Sequence, residues 1–131
     1  MSQSPPYTLV FEPRVHYLYA RVTGPEDTAE VSIAYWAEIA SECHARGTER
    51  LLVEERLEGN STVADMEQVV DGLLALGFHD IRVAFVDATE DAALLIGSEI
   101  RVQQHGLSGR VFRRIAEAEG WLLADLPPLA D

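Results

Sequence analysis

The chain contains no lysine, and its ten basic residues, all arginine, face twenty-two aspartate and glutamate residues. The formal net charge is -12 and the sequence pI is about 4.6. The phosphate backbone of a nucleic acid, or an anionic membrane surface, would therefore meet net electrostatic repulsion. We expect neither a nucleic acid nor a membrane among the partners of this protein.

Cysteine is almost absent as well. The single residue, Cys43, has no second cysteine for an internal disulfide and no companions for a structural zinc site. The four histidines lack the close spacing of a metal-binding helix face, so we expect neither a metal nor a cofactor. No apolar run approaches the about 20 residues that span a bilayer, and residues 1–6 do not resemble a signal peptide. These absences predict a cytoplasmic protein.

What is present is the composition of one folded domain. Of the 131 residues, 47% are hydrophobic and 24% are charged, which is typical of a globular protein with a real core. Prolines and small polar residues at 1–6 and 126–131 indicate tails. We therefore predict a single α/β domain over 1–131.

Strand-like and helix-like segments alternate along the chain. In chain order we predict strands at 7–11, 15–22, 51–53, 81–86 and 110–112, and helices at 27–46, from 62, from about 89 to 105, and from 114 to about 124. The first two strands flank Glu12-Pro13-Arg14 and predict an antiparallel hairpin. The fold class is therefore a single, mostly parallel sheet of about five strands, the first antiparallel, with four crossover helices.

The second predicted strand has two different faces. Alternation places His16, Leu18, Ala20 and Val22 on one face. The other face carries Tyr17 and Tyr19, which we expect either to form a partly exposed interface with a partner or to complete the core. In the first helix, one stripe of residues recurs at helical spacing and Gly47 marks the end: Ala29, Ile33, Trp36, Ala37, Ala40 and Cys43.

The run from Ile81 to Asp87, the Arg-Val-Phe112 strand and the alanine-rich helix ending at Trp121-Leu122 resemble the SpoIIAA-like group of the STAS superfamily. The resemblance covers residues 7–123. It implies a SpoIIAA-like fold and a role in protein interaction. In the anti-sigma-factor antagonists of the superfamily, a serine near the start of the second helix is phosphorylated within an Asp-Ser-Ser-Gly-like motif. This chain lacks that motif, and by position Ser61 is the nearest candidate phosphosite.

Polar residues follow the carboxyl ends of several predicted strands, where ligand sites in open α/β sheets usually lie. Helix amides together with two arginines suit a phosphate or carboxylate, and the candidate residues for such an anion site are Ser61, Thr62, Asp87, Thr89, Arg113 and Arg114. Simple helix capping by the Ser, Thr and Asp side chains is the alternative. For Arg114, near a helix start, we expect an ion pair with Glu117 or Asp87.

Catalytic motifs are missing from the sequence. It has no glycine-rich phosphate loop and no Gly-x-Ser-x-Gly elbow, so we expect a non-enzymatic domain that binds another protein or a second copy of itself as a homodimer. One alternative is a protein that holds an apolar or anionic metabolite between its helices and its sheet. Another is a small hydrolase or transferase that uses Asp87 or Ser61.

Overall fold

A computed structural model describes residues 7–25, 28–57, 63–87, 92–104 and 106–124. It contains one five-stranded sheet in the order β1-β2-β3-β4-β5, in which β1 is antiparallel to β2 and the other neighbours are parallel. This is the predicted fold class. The elements are β1 (Thr8–Pro13), β2 (Leu18–Gly24), α1 (Ala29–Arg46), β3 (Arg50–Leu57), α2 (Val63–Ala75), β4 (Arg82–Asp87), α3 (Ala92–Gln104), β5 (Gly109–Phe112) and α4 (Ile115–Leu122), with a 3-10 turn at Phe78–Asp80.

The opening hairpin forms as expected, but its turn lies later than predicted. Pro13 still pairs with Leu18 at the end of β1, and the turn runs through 14–17, where the Arg14 amide donates to the Tyr17 carbonyl at 2.9 Å. A proline lacks the amide donor, yet it is tolerated on an edge strand because its missing donor need not face the neighbouring strand. Pro13 therefore ends β1 without preventing the last pair.

Local capping residues define the first helix. The Thr28 hydroxyl accepts a hydrogen bond from the Val31 amide at 3.2 Å, and Gly47 ends the helix in the left-handed conformation at φ 65°. The predicted inward stripe is only partly right, because Ile33 and Ala37 are exposed. The side chains that are buried instead belong to an adjacent stripe with the same i, i+4 spacing: Val31, Tyr35 and Ile39.

The three helices α1, α2 and α3 cover one face of the sheet. The core on this face is apolar and aromatic: the Trp36 ring lies 5.5 Å from the Phe78 ring and 5.4 Å from the Phe85 ring, centroid to centroid. Leu51 and Val53 of β3 contribute to the same core. This larger core provides most of the apolar burial that stabilises the fold.

The short helix α4 lies on the opposite face, where Leu52 and Ala84 pack beneath its Ala118 and Leu122. Two arginines of the sheet hold its end. Arg50 donates to the Leu122 carbonyl, and Arg82 donates to the Trp121 carbonyl at 2.6 Å with its guanidinium 4.1 Å from the centre of the Trp121 ring. Positive charge at a helix carboxyl end is favourable for the helix dipole.

Helix α4 packs against β3, β4 and β5. The smaller core beneath it extends to Tyr19 of β2, whereas Val10 of β1 and Arg21 of β2 on the same side are exposed. Within the described ranges, no helix combines the length and the apolar character needed to cross a bilayer.

Candidate functional site

The predicted anion site is only partly within the described residues. Asp87 ends β4, half-buried and next to Glu55 of β3 in the register. Arg113 and Arg114 are exposed between β5 and α4, at the same edge of the sheet. Three further candidates, Ser61 (also the candidate phosphosite), Thr62 and Thr89, lie outside the described residues, so the anion site stays a prediction.

The ion pair expected for Arg114 differs in the structure. Arg114 is the N-cap residue of α4, its side chain makes no capping hydrogen bond, and no ion pair joins it to Glu117, which like Arg114 is exposed. Two exposed charged side chains gain little from pairing, because water screens the attraction and the pair loses side-chain entropy. The pair with Glu117 is therefore not formed, and the pairing with Asp87 stays a prediction.

The two tyrosines suggested as interface residues are buried. Tyr17 is 8% exposed and Tyr19 is 6% exposed, and both rings complete the smaller core beneath α4. The alternative expectation, that these rings belong to the core, describes them correctly. Their hydroxyls nevertheless reach carboxylates at the rim of that core: Tyr17 donates to Glu119 of α4 at 2.6 Å, and Tyr19 donates to Glu54 of β3 at 2.5 Å.

Glu54 is the buried charge of this surface, at 6% exposure. One carboxylate oxygen, Oε1, accepts the Tyr19 hydroxyl, and the other, Oε2, accepts Nε of Arg56 at 2.9 Å and Nη2 of Arg56 at 2.8 Å. A buried carboxylate is costly unless it is paired and hydrogen-bonded. Both oxygens of Glu54 have partners, while the Arg56 side chain remains 60% exposed.

The tyrosine hydroxyls on this face are protonated donors at neutral pH. Burial, followed by the hydrogen bond and charge of Glu119, raises the pKa of Tyr17 to about 12. Burial and then Glu54 raise the pKa of Tyr19 above its ordinary value of 10.0, although Arg21 and Arg56 act in the opposite direction. The cluster is therefore suited to holding side chains in position, not to generating a tyrosinate nucleophile.

Five residues paired side by side across the strands show where this face of the sheet changes from buried to exposed. Phe112 and Val86 lie under α4, Glu54 is buried at its edge, and Arg21 and Val10 beyond it are exposed. We call the part that α4 leaves uncovered the open sheet face. Among the described residues it consists of Thr8, Val10, Glu12, Arg21, Thr23 and Arg56.

The hairpin turn provides the rim of the open sheet face. The Arg14 guanidinium lies 4.8 Å from the centre of the Tyr19 ring and forms an ion pair with Glu12 at 3.1 Å. A guanidinium over an aromatic face is attracted by the ring quadrupole. The rim therefore brings a second exposed arginine next to the Tyr19 and Glu54 pair.

Some of the contacts on this surface could be inferred from the sequence of β3. Alternation along a strand places Glu54 and Glu55 on opposite sides of β3, and Glu55 accepts the hydroxyl of Tyr35 at 2.9 Å on the α1 side. An acidic residue followed two positions later by Arg56 on one strand face also suggests a local ion pair. Their contact with Tyr19, thirty-five positions before Glu54, depends on the pairing of β2 with β3.

The structure also contains a small buried cavity and an open groove away from the open sheet face. On the α1 side of the sheet, a small cavity of about 10 Å³ lies beside Trp36, Phe85 and Val102. That volume holds about one water molecule at most. The metabolite site between the helices and the sheet stays a prediction. An open groove of about 590 Å³ lies at the amino edge of the sheet, lined partly by His44 and His79.

The titratable groups give little support for metal or thiol chemistry. Among the residues that the structure describes, no three His, Cys, Asp or Glu side chains are grouped so as to hold a metal ion. Cys43 is fully buried, and burial raises the pKa of its thiol to about 11. A protonated, inaccessible thiol is a poor nucleophile.

The geometry agrees with a known architecture. A crystal structure of an uncharacterised protein of the DUF3478 family from Shewanella loihica PV-4, which has a SpoIIAA-like fold, matches with a TM-score of 0.56 over 93% of this chain and 98% of that chain. The chain has a SpoIIAA-like fold. At 14% sequence identity, the match shows the fold of this SpoIIAA-like domain and nothing about its activity. No family model and no curated protein matches the sequence.

Proposed function

We propose that this SpoIIAA-like domain is a non-catalytic protein-interaction module and that the open sheet face is its docking surface. The observation that carries the proposal is the incomplete cover of this side of the sheet by the described residues: α4 packs on β3, β4 and β5 and over Tyr19, while Val10 of β1 and Arg21 of β2 on the same side are exposed. A sheet face normally buries one side against another layer. A partner would complete the layer that α4 begins.

The chemistry of the surface supports binding more than catalysis. Glu54 is fully engaged by Tyr19 and Arg56, and the raised pKa of Tyr19 keeps its hydroxyl protonated. Exposed Val10 offers apolar contact next to charged groups, the mixture found in many protein interfaces. Rigid strands support the contact residues, so little order is lost from this side when a partner binds.

A steric variant tests the proposal without altering charge. Thr23→Trp places a large ring on the open sheet face, and Ile96→Trp places the same ring on an exposed position of α3 as the matched control. The tagged wild-type protein and both variants are used to capture partners from cells that express the protein, and the complexes are weighed by native mass spectrometry. We expect one stoichiometric partner with the wild type and Ile96→Trp, and its loss with Thr23→Trp. Equal capture by all three proteins contradicts the proposal.

A further inference from the structure

The open sheet face carries positive charge in a strongly acidic chain, and we propose that its partner is an acidic segment of another protein whose carboxylates bind Arg21 and Arg56. The inference depends on the proposed function, because it adds the chemistry of the partner to the same surface. Arg14 at the rim, Arg21 at the centre and Arg56 toward the carboxyl edge face one side of β1, β2 and β3.

Arg21 is the central recognition residue. It lies between Val10 and Glu54 in the register, and it is exposed. Both oxygens of Glu54 already have other donors, and the structure shows no hydrogen bond or ion pair between Arg21 and another described residue. A guanidinium with uncommitted donors binds a carboxylate with two parallel hydrogen bonds.

Arg56 is held ready for the same partner. Its Nε and Nη2 both contact Glu54, which fixes the plane of the guanidinium while most of the side chain stays exposed. An arginine that is already ordered loses less conformational entropy when it binds a second carboxylate. The buried Glu54 is therefore a positioning residue for Arg56.

Several other arginines are committed to acidic neighbours on the surface. Arg46 pairs with Glu42 at 2.7 Å, and Arg101 pairs with Asp71 at 3.0 Å. Arg50 and Arg82 hold the carboxyl end of α4. The open sheet face thus combines an arginine that lacks a described ion pair with one that is pre-oriented.

Charge and size narrow the class of partner. With a net charge of -12, the whole chain repels the continuous phosphate backbone of a nucleic acid. A short acidic segment interacts mainly with the nearby arginines, because charges more than about 10 Å apart are screened at 0.1 M salt. Three neighbouring strands span about 10 Å, the approximate width of one helix or two extended strands. Val10 gives an apolar side chain on the partner a place to pack.

Defined peptides test the inference on the full chain. The probe is a fluorescent peptide built from repeats of Glu-Ala-Glu-Leu, and the matched probe has glutamine in place of every glutamate. A peptide of Lys-Ala-Lys-Leu repeats is the control for peptides that bind acidic side chains outside the open sheet face. Single-stranded DNA is the control for nucleic-acid binding. Affinity is measured by fluorescence anisotropy for the wild type and three variants: Arg21→Glu, Arg56→Gln and the double variant Arg113→Glu/Arg114→Glu. Circular dichroism checks that each variant is folded.

The inference predicts that the acidic peptide binds the wild type and that its glutamine analogue binds about tenfold more weakly. Arg21→Glu weakens the acidic peptide about tenfold and Arg56→Gln about threefold, while the Arg113 and Arg114 variant binds as the wild type does. Loss of binding only in that double variant moves the anion site to the carboxyl edge and overturns the inference. It is also overturned if the acidic peptide fails to bind, if DNA or the lysine peptide competes at Arg21, or if this face instead joins two copies of the chain.

The two proposals fail in different ways. If Thr23→Trp abolishes capture of the cellular partner and Arg21→Glu leaves that capture unchanged, the docking surface stands and its acidic specificity is wrong. If neither variant changes capture, both proposals are wrong.

Discussion

The two sides of the sheet solve the same burial problem differently. On one side, three helices enclose an apolar core centred on Trp36, Phe78 and Phe85. On the other, the eight-residue helix α4 is the described helix that packs on β3, β4 and β5, and its edge is formed by tyrosine hydroxyls paired with Glu54 and Glu119. The difference indicates that the first side provides most of the apolar burial, while the second leaves part of the sheet exposed, the surface that we propose as the docking site.

The largest expected effect distinguishes the two cores. Trp36→Ala removes a ring that is 1% exposed, and we expect it to lower the free energy of unfolding by about 3–5 kcal/mol. Trp121→Ala on the α4 side, where the ring is half-buried against Phe112 and Arg82, is expected to cost less than half as much. Urea unfolding of both variants measures the difference, and equal losses would contradict the proposed division between the two sides.

A pair of glycines extends the comparison. A Cβ at Gly109 would lie 2.8 Å from Cε2 of Phe85 and 2.8 Å from Cγ1 of Val102, so Gly109→Ala is expected to cost about 1–3 kcal/mol through overpacking. A Cβ at Gly120 in α4 meets nothing within 4 Å, and Gly120→Ala is expected to stabilise by about 0.5–1 kcal/mol through helix propensity. Thermal unfolding should show shifts of opposite sign; a stabilising Gly109→Ala would mean that the α3 side is loosely packed.

The buried carboxylate provides a third comparison. Tyr19→Phe leaves one oxygen of Glu54 without its donor, and we expect a loss of about 1–2 kcal/mol, because a charged acceptor away from water needs its hydrogen bonds. Tyr35→Phe, which removes the bond to half-buried Glu55 at 2.9 Å, is the matched variant and should cost less. A double-mutant cycle with Glu54→Leu, which removes the acceptor oxygen, measures the coupling between Tyr19 and Glu54. A coupling near zero would show that the pair adds no stability.

The smallest expected effect concerns alkaline pH. Because the pKa of Tyr17 is about 12 when folded and about 10 when unfolded, the folded state holds its proton over an interval in which the unfolded state loses it. The stability contributed by Tyr17 is complete below pH 10 and declines as the pH rises toward about 12. Tyr7, whose pKa is also about 12, acts in the same direction. Unfolding free energies measured across this interval should fall less steeply for Tyr17→Phe, and an unchanged slope would contradict the assignment.

The residues of β2 and α1 show which features of the fold could be predicted from the sequence and which could not. Period-two alternation correctly separates Tyr17 and Tyr19 from Leu18 and Ala20, because strand geometry alone sets which face a side chain takes. It cannot tell whether a face is covered, so exposed tyrosines remained an alternative. The stripe of α1 was misassigned for a similar reason: both candidate stripes have helical spacing, and only the position of the helix over the sheet buries Tyr35 and Ile39.

The sequence by itself determined the order of the elements, the two faces of each strand and the end of α1 at Gly47, because these depend on neighbouring residues and on backbone geometry. Only the tertiary structure decided how much of the sheet α4 covers. That coverage buries Glu54, joins it to Tyr19 and Arg56, and leaves Arg21 at the surface. These contacts connect separate strands and a helix, so their energies depend on how distant segments pack, which no short stretch of sequence specifies.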